Sequence, residues 1–242
     1  MERRHSGFGG GPVASESSNL PRPEPSVGRH RPGEELLIKL YFAYTSPFTY
    51  LAMNPAYELE DSYCVKLRFI PYGVNIRQVY GGEVEARDER NRRKLHYLYL
   101  DARRLAAERG LIIRPPKKIF SARFAFYGGM CAEDQGLFRP YSDRVFERFW
   151  KRELEVEDPA ALAAILSETG ADPSKFLRYI ADEAAEAKPR LKACFAEAER
   201  DQVFGVPTFV IDGERFWGYD RIDWIKRKLD AMVLRRSPKQ PR

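Results

Sequence analysis

A serine stands where an apolar, strand-like run passes into a helix-compatible segment. The run covers Leu36 to Phe42, and Ser46-Pro47 comes directly before the apolar segment from Phe48 to Glu60. The first backbone N–H groups of a helix lack intrahelical partners and carry the positive end of the helix dipole, so they stabilise anions such as a thiolate. Pro47 suits the first helical turn, where its missing N–H costs nothing. The sequence therefore predicts a hydroxyl at an anion-stabilising helix start, where Ser46 could also act as the N-cap.

A second candidate lies near the other end of the chain. In Val203-Phe-Gly-Val-Pro-Thr-Phe-Val210, a proline immediately precedes a predicted strand. An X-Pro bond can be cis at modest cost, and a cis-proline in a tight turn would expose the backbone of Val206 for pairing with an extended peptide. The same motif also fits an ordinary edge strand that begins with a trans-proline. Both interpretations remain open for Pro207 from the sequence.

The cysteines argue against thiol chemistry by the protein itself. Cys64, Cys131 and Cys194 are scattered singly with no C-x-x-C pair, which fits neither a disulfide framework nor a metal site. We expect them to be small core residues. A dithiol oxidoreductase needs cysteines at the start of the helix, and the tetrad Ser46-Pro47-Phe48-Thr49 contains none. Disulfide exchange is therefore disfavoured.

Composition and charge narrow the function classes further. The chain has 242 residues and a formal net charge of +6, which is concentrated in two basic blocks, Glu85–Lys118 and Arg221–Arg242. The end of the second block, Leu234–Arg242, is expected to be a solvated, frayed tail, whereas the first block could attract an anionic ligand. No nucleic-acid motif accompanies either block, so we expect no nucleic-acid partner. The apolar runs are too short for a membrane span and no signal-peptide region follows the first arginines, so we expect a cytoplasmic protein.

The order of predicted elements indicates how these residues are positioned. Residues 1–35 are rich in Gly, Pro, Ser and charge and are expected to be disordered. A β-α-β unit over 36–76, a helical insertion over 77–201 and a β-β-α unit over 202–234 follow, before a basic tail at 235–242. This order predicts the α/β class, specifically a thioredoxin-like fold with an inserted all-helical domain.

The element boundaries come from hydrophobic periodicity, prolines and turn residues. Asp212-Gly213 predicts a two-residue hairpin turn. The predicted strands are Leu36–Phe42, Val65–Ile70, a strand from Thr208 to that turn, and Glu214–Gly218. The predicted helices are Phe48–Glu60, Asp88–Arg109, Ser121–Asp134, Pro140–Lys151, Pro159–Glu168, Pro173–Ala184, Pro189–Asp201 and Arg221–Leu234.

Three motifs carry a resemblance to a known family. They are Tyr44-Thr-Ser-Pro-Phe-Thr-Tyr-Leu-Ala52, Lys94-x-x-Tyr97-x-x-x-Asp101, and Phe204-Gly-Val-Pro-Thr-Phe-Val210 followed by Phe216-Trp-Gly-Tyr-Asp-Arg-Ile-Asp223. From about Leu36 to Leu229 the chain resembles the thioredoxin-fold proteins that comprise kappa-class glutathione transferases, 2-hydroxychromene-2-carboxylate isomerases and the more distant DsbA-type oxidoreductases. The resemblance favours the isomerase and kappa branch.

The resemblance implies a glutathione site. The hydroxyl of Ser46 would donate to the glutathione sulfur, and a hydrogen bond to the charged form lowers a thiol pKa. The other implied contacts are Val206 and Pro207 to the cysteinyl part, Tyr219 and Asp220 to the γ-glutamyl end, and Lys94 to the glycyl carboxylate. No metal is implied.

Two departures from the family pattern concern the two ends of this glutathione site. Gly81-Gly82-Glu83 replaces a Gly-Asn-x-Pro-Pro loop, and Glu83 would repel a carboxylate. Tyr219 stands where a small hydroxyl or amide side chain is usual. Arg87, Arg92 and Arg93 are candidates for replacing the lost contact.

The resulting functional hypothesis is a glutathione-dependent isomerase of the 2-hydroxychromene-2-carboxylate type that acts on an aromatic-derived unsaturated carboxylic acid. Tyr44, Tyr97 and Trp217 could line a pocket for this small-molecule substrate or could pack in the core. The alternatives are a kappa-class-like glutathione transferase and a noncatalytic thioredoxin-fold binding module. A homodimer through the helical insertion would fit the family.

Overall fold

A computed structural model describes residues 35–74, 79, 82 and 87–236. Its sheet has four strands in the order β2-β1-β3-β4. The strands are β1 (Leu36–Phe42), β2 (Val65–Pro71), β3 (Thr208–Ile211) and β4 (Glu214–Trp217). β1 runs parallel to β2 and antiparallel to β3, with Tyr41 opposite Thr208. Asp212 and Gly213 both have positive φ, as the predicted two-residue hairpin turn requires.

The helices of the described chain form the rest of the molecule. They are α1 (Pro47–Ser62), α2 (Glu89–Ala107), α3 (Arg123–Asp134), α4 (Phe138–Trp150), α5 (Pro159–Glu168), α6 (Ser174–Ala181), α7 (Ala187–Arg200) and α8 (Ile222–Ala231), with a 3₁₀ turn at Tyr219–Arg221 before α8. Between β2 and β3 every described element is helical. The fold is a thioredoxin-like α/β fold with a helical region inserted between the two halves of the sheet. Among the described helices, none combines the length and the apolarity that crossing a bilayer requires.

Several predicted boundaries were wrong, and prolines and a tight turn explain them. α4 begins two residues before Pro140, and α7 begins two residues before Pro189. A proline is tolerated throughout the first helical turn, so its position does not fix the first residue. The last predicted helix, Arg221–Leu234, is shorter at both ends, because Arg221 is the last residue of the 3₁₀ turn and α8 ends at Ala231. The other differences are small: α3 starts after Ser121, and α6 ends at Ala181.

The core lies on both faces of the sheet. One face carries Leu40, Phe42 and Phe209 into a large cluster that includes residues of α1, α3 and α4. The other face carries Tyr41, Ile70 and Val210 against α7. Alternating side chains of a strand point to opposite faces, so β1 serves both clusters. This central position fixes the end of β1, from which the segment leading to Ser46 departs.

Residues 1–34 of the predicted disordered leader, residues 237–242 of the basic tail and most of the Gly81-Gly82-Glu83 loop lie outside the described residues. The first two residues of the predicted tail are held in place, because Arg235 forms a β-bridge with Tyr63 and Arg236 pairs with Glu35 at 3.0 Å. Of the loop, only Gly82 is described, with a positive φ of 94°. The predicted role of Glu83 therefore stays a prediction.

Candidate functional site

Ser46 is the N-cap of α1. Its backbone is extended, and its Oγ accepts a hydrogen bond from the Thr49 backbone N–H at 3.1 Å. The carbonyl of Ser46 accepts the first helical bond, from the N–H of Tyr50, also at 3.1 Å. A serine hydroxyl has one proton and two lone pairs. The hydrogen bond to Thr49 confirms the predicted N-cap role. Because capping uses only one lone pair, the hydroxyl proton remains available to a bound anion.

Thr49 completes the first turn of α1. Its side chain is buried, and its hydroxyl has no hydrogen-bond partner in the part of the chain that the structure describes. Threonine can often bond back to the carbonyl four residues earlier, but that bond is not made here. The first turn of α1 thus holds two hydroxyls, of which one caps the helix and one is unsatisfied.

The Val206–Pro207 peptide bond is cis, as one of the two sequence interpretations required. The loop is held on both sides: the Gly218 N–H donates to the Pro207 carbonyl at 2.9 Å, and the Thr208 hydroxyl donates to the Gly205 carbonyl at 2.7 Å. Because Thr208 lies opposite Tyr41 in an antiparallel pair, the loop before β3 lies beside the end of β1 that leads to Ser46.

The 3₁₀ turn places Tyr219 against the start of α1. The Tyr219 ring stacks on the Phe48 ring, with centroids 5.4 Å apart and planes 11° apart. Phe48 is the second residue of α1, so this contact joins the segment Tyr219-Asp220 to the helix start that Ser46 caps. Asp220 itself is exposed and pairs with Arg221 at 3.2 Å between Oδ2 and Nη1.

The surroundings of Tyr219 are mainly acidic. Burial raises the pKa of Tyr219 above its ordinary value, and the nearby carboxylates of Asp101 and Asp220 raise it further. The Arg109 guanidinium lies over the Tyr219 ring at 5.5 Å from its centroid and opposes that rise. The tyrosine is therefore a neutral aromatic surface near neutral pH, flanked by negative charge.

Lys94 lies in the N-terminal half of α2. It is exposed, and it precedes Asp101 by seven residues, which places both on one helix face about 10 Å apart along the axis. Asp101 is the α2 residue whose charge reaches Tyr219. The structure therefore brings Ser46, the Val206–Pro207 loop and Tyr219-Asp220 to one end of the sheet, with Lys94 along a helix that approaches it. Their roles toward a ligand stay predictions.

The other sequence candidates divide between core and surface. Tyr44 is fully buried and its hydroxyl lies 2.8 Å from Ser142 Oγ, so it packs in the core rather than lining a pocket. Tyr97 and Trp217 are 61% and 53% exposed. Of the arginines proposed to replace the loop contact, Arg87 is buried, whereas Arg92 and Arg93 are exposed.

The cysteines behave as small side chains rather than as activated thiols. Cys131 is buried, and Cys64 and Cys194 are partly exposed. Burial raises the pKa of the Cys131 and Cys194 thiols. A raised pKa disfavours the reactive thiolate. At the start of α1 the tetrad has no thiol, so a thiol at this position must come from a ligand.

Two residues of this site were missed from the sequence. Phe48 and Arg109 both contact the Tyr219 ring. Phe48 lies within the motif around Ser46 but was assigned no contact, and Arg109 belongs to no motif. A signal for Arg109 did exist. Pro55, inside the predicted helix, has no N–H, which leaves the carbonyl of Leu51 in need of another donor.

Comparison with known proteins agrees with this fold. Residues 37–230 match the family model of the DSBA-like thioredoxin domain. The chain is 30% identical over 191 residues to the 2-hydroxychromene-2-carboxylate isomerase of Pseudomonas putida, covering 77% of this chain and 91% of that protein. It is 23% identical over 196 residues to the enzyme of that name from Sphingobium xenophagum, covering 79% and 97%.

Solved structures show the same architecture. A 2-hydroxychromene-2-carboxylate isomerase structure superposes with a TM-score of 0.68 at 24% identity, covering 82% of this chain and 96% of that one. A probable DsbA oxidoreductase from Streptomyces coelicolor superposes with a TM-score of 0.66 at 18% identity, covering 86% and 94%. At these identities the structures establish the fold. The family model shows that this chain belongs to the DSBA-like thioredoxin domains, and the 30% identity with the Pseudomonas putida protein shows that it belongs among the 2-hydroxychromene-2-carboxylate isomerases.

Proposed function

We propose that this protein is a glutathione-dependent isomerase of the 2-hydroxychromene-2-carboxylate type. The observation that carries the proposal is the start of α1, where Ser46 caps the helix and keeps its hydroxyl proton, in a tetrad without cysteine. Such a site stabilises an anion but cannot exchange disulfides. Membership of the isomerase family supports the reaction class.

The side chains present suit a tripeptide thiol. The Ser46 hydroxyl suits a thiolate, the exposed Asp220 carboxylate suits an ammonium, and the exposed Lys94 suits a carboxylate. Val206, before the cis-proline, would pair its backbone with the middle residue of the peptide. When bound, glutathione supplies a thiolate that adds reversibly to an unsaturated acid and leaves unchanged.

The contribution of this chain is to hold charge and orientation. Ser46 donates a hydrogen bond that favours the charged form of a thiol, and the positive end of the α1 dipole acts in the same direction. Lysine and arginine residues of α2 would attract the carboxylate of an aromatic-derived substrate. Tyr97 and Trp217 expose aromatic surface, but we assign neither to the substrate.

The deciding experiment is interconversion of 2-hydroxychromene-2-carboxylate with its benzylidenepyruvate partner, followed with and without added glutathione. We expect turnover only with glutathione and a loss of about 10²-fold in Ser46→Ala, because that variant lacks the donor to the thiolate. Ser167→Ala is the matched control, since Ser167 lies on the exposed face of α5 and bonds to the Ala163 carbonyl.

Two outcomes would overturn the proposal. Accumulation of a glutathione conjugate would indicate a transferase, in which the thiolate stays attached. Glutathione binding without any turnover would indicate the noncatalytic binding module. A homodimeric state is proposed on the resemblance, and the absence of a nucleic-acid partner on the charge distribution and the lack of a nucleic-acid motif.

A further inference from the structure

Helix α1 has a gap in its backbone hydrogen bonding close to the site. Pro55 lies inside the helix, and a proline has no N–H to donate to the carbonyl four residues earlier, which is that of Leu51. Leu51 is 1% exposed in the folded protein, so its carbonyl needs a donor from the protein itself. A buried carbonyl without a partner would weaken the helix at its second turn.

Arg109, just beyond the end of α2, fills this gap. Its Nη1 donates to the Leu51 carbonyl at 3.2 Å. The same guanidinium lies over the Tyr219 ring at 5.5 Å from its centroid, and that ring stacks on Phe48. One side chain therefore contacts α1 directly at its second turn and, through Tyr219, at its first turn.

We propose that Arg109 is a positioning residue that fixes the first two turns of α1 and thereby the direction of the Ser46 hydroxyl. An arginine suits this task because its planar guanidinium donates from its edge while its face lies on an aromatic ring. The link to thiol activation rests on the proposed function of Ser46, whereas the link to the geometry of α1 does not.

Amide hydrogen exchange tests the geometric part without any ligand. The N–H groups of Thr49 and Tyr50 donate to Ser46 and report directly on the first turn. In Arg109→Ala we expect these two amides to exchange about tenfold faster, because a charged donor to a buried carbonyl is lost. Arg227→Ala is the matched control: Arg227 lies over the Trp224 ring at 4.9 Å, on the exposed side of α8.

A double-mutant cycle tests whether the missing backbone N–H of Pro55 is the reason why Arg109→Ala accelerates exchange. Pro55→Ala supplies a backbone N–H for the Leu51 carbonyl, so Arg109→Ala should then accelerate exchange by only about threefold, through the lost ring contact. Arg109→Lys is a second variant that keeps the test available if Arg109→Ala does not fold. A lysine can keep one of the two contacts, and we expect exchange rates between those of the parent and of Arg109→Ala.

The functional part has its own readout, the pKa of the glutathione thiol bound to each variant, followed by thiolate absorbance. We expect that pKa to be higher in Arg109→Ala than in the parent and unchanged in Arg227→Ala. Unchanged exchange at Thr49 and Tyr50 in Arg109→Ala would overturn the positioning role. If the parent binds no glutathione, the proposed function fails, while the exchange data still decide the role of Arg109.

Discussion

Ser46 shows that a residue can serve folding and chemistry with different atoms. Its oxygen accepts from the Thr49 N–H, and its proton remains available for a ligand. Local motifs of this kind are predictable, because a helix start and its cap lie within four residues of each other. The Tyr219 and Arg109 contacts are not, since Arg109 is separated from Leu51 by 58 residues and only the fold brings them together.

Replacing Ser46 by alanine should lower stability even without a ligand. The Ser46→Ala variant loses the cap on the Thr49 N–H, so we expect the free energy of unfolding to fall by about 1 kcal/mol. Urea denaturation in the absence of glutathione measures this. The Ser167→Ala control should change it by less than about 0.5 kcal/mol. An unchanged midpoint in Ser46→Ala would mean that the cap contributes nothing.

Replacing Thr49 by valine should increase the stability rather than lower it. The Thr49 hydroxyl is buried and has no partner within the described chain, and valine has the same shape without the polar group. We expect the free energy of unfolding to rise by up to about 1 kcal/mol, because an unsatisfied hydroxyl is removed. Thermal denaturation of the ligand-free protein is the measurement. A clear loss of stability would show that the hydroxyl is hydrogen-bonded in solution.

Between elements, a polar network joins the sheet to α7. Lys39 and Tyr41 of β1 donate to Asp201, at the end of α7, and Arg68 of β2 forms two bonds of 2.8 Å to Glu197. Burial raises the pKa of the Asp201 carboxyl, but the bonds from Lys39 and Tyr41 outweigh it, and the net pKa lies below its ordinary value. The network therefore holds Asp201 in its charged form.

This network should make stability depend on pH in the acid range. The pKa of Asp201 is lower in the folded than in the unfolded chain, so its contribution is present above the unfolded value of about 3.9 and is lost as pH falls through the folded value. Below about pH 4, we expect the urea midpoint of the parent to decrease as the pH falls. In Asp201→Asn we expect this decrease to be smaller. Asp61→Asn, at an exposed position of α1, is the control. If the urea midpoint of Asp201→Asn decreased with acid as much as that of the parent, the pH dependence could not be assigned to Asp201.

Element types were largely predictable from periodicity and turn residues, as the Asp212-Gly213 hairpin shows, and element boundaries were less so. The starts of α4 and α7 were misplaced because a proline within the first turn does not mark its first residue. The 3₁₀ turn at Tyr219–Arg221 was not predicted, because a single turn of three residues is too short to show a periodicity in the sequence.

At the scale of the whole molecule, the helical region and the sheet share one core. Phe42 of β1 makes edge-on ring contacts with Phe126 of α3 and Phe138 of α4, with centroids 5.8 and 5.6 Å apart. Tyr44 packs among the same rings and lies beside Ser142 of α4. The segment between β1 and Ser46 is thereby anchored against the helical region.

The central claim is that the start of α1 holds the thiol of glutathione as a thiolate. The measurement that tests it most directly is the absorbance of that thiolate as a function of pH, with glutathione bound to the parent and to Ser46→Ala. An unperturbed thiol has a pKa of about 8.5. We predict a bound pKa at least about one unit lower in the parent and a return toward the free value in Ser46→Ala. A bound pKa equal to that of free glutathione, or one that Ser46→Ala leaves unchanged, would contradict the claim.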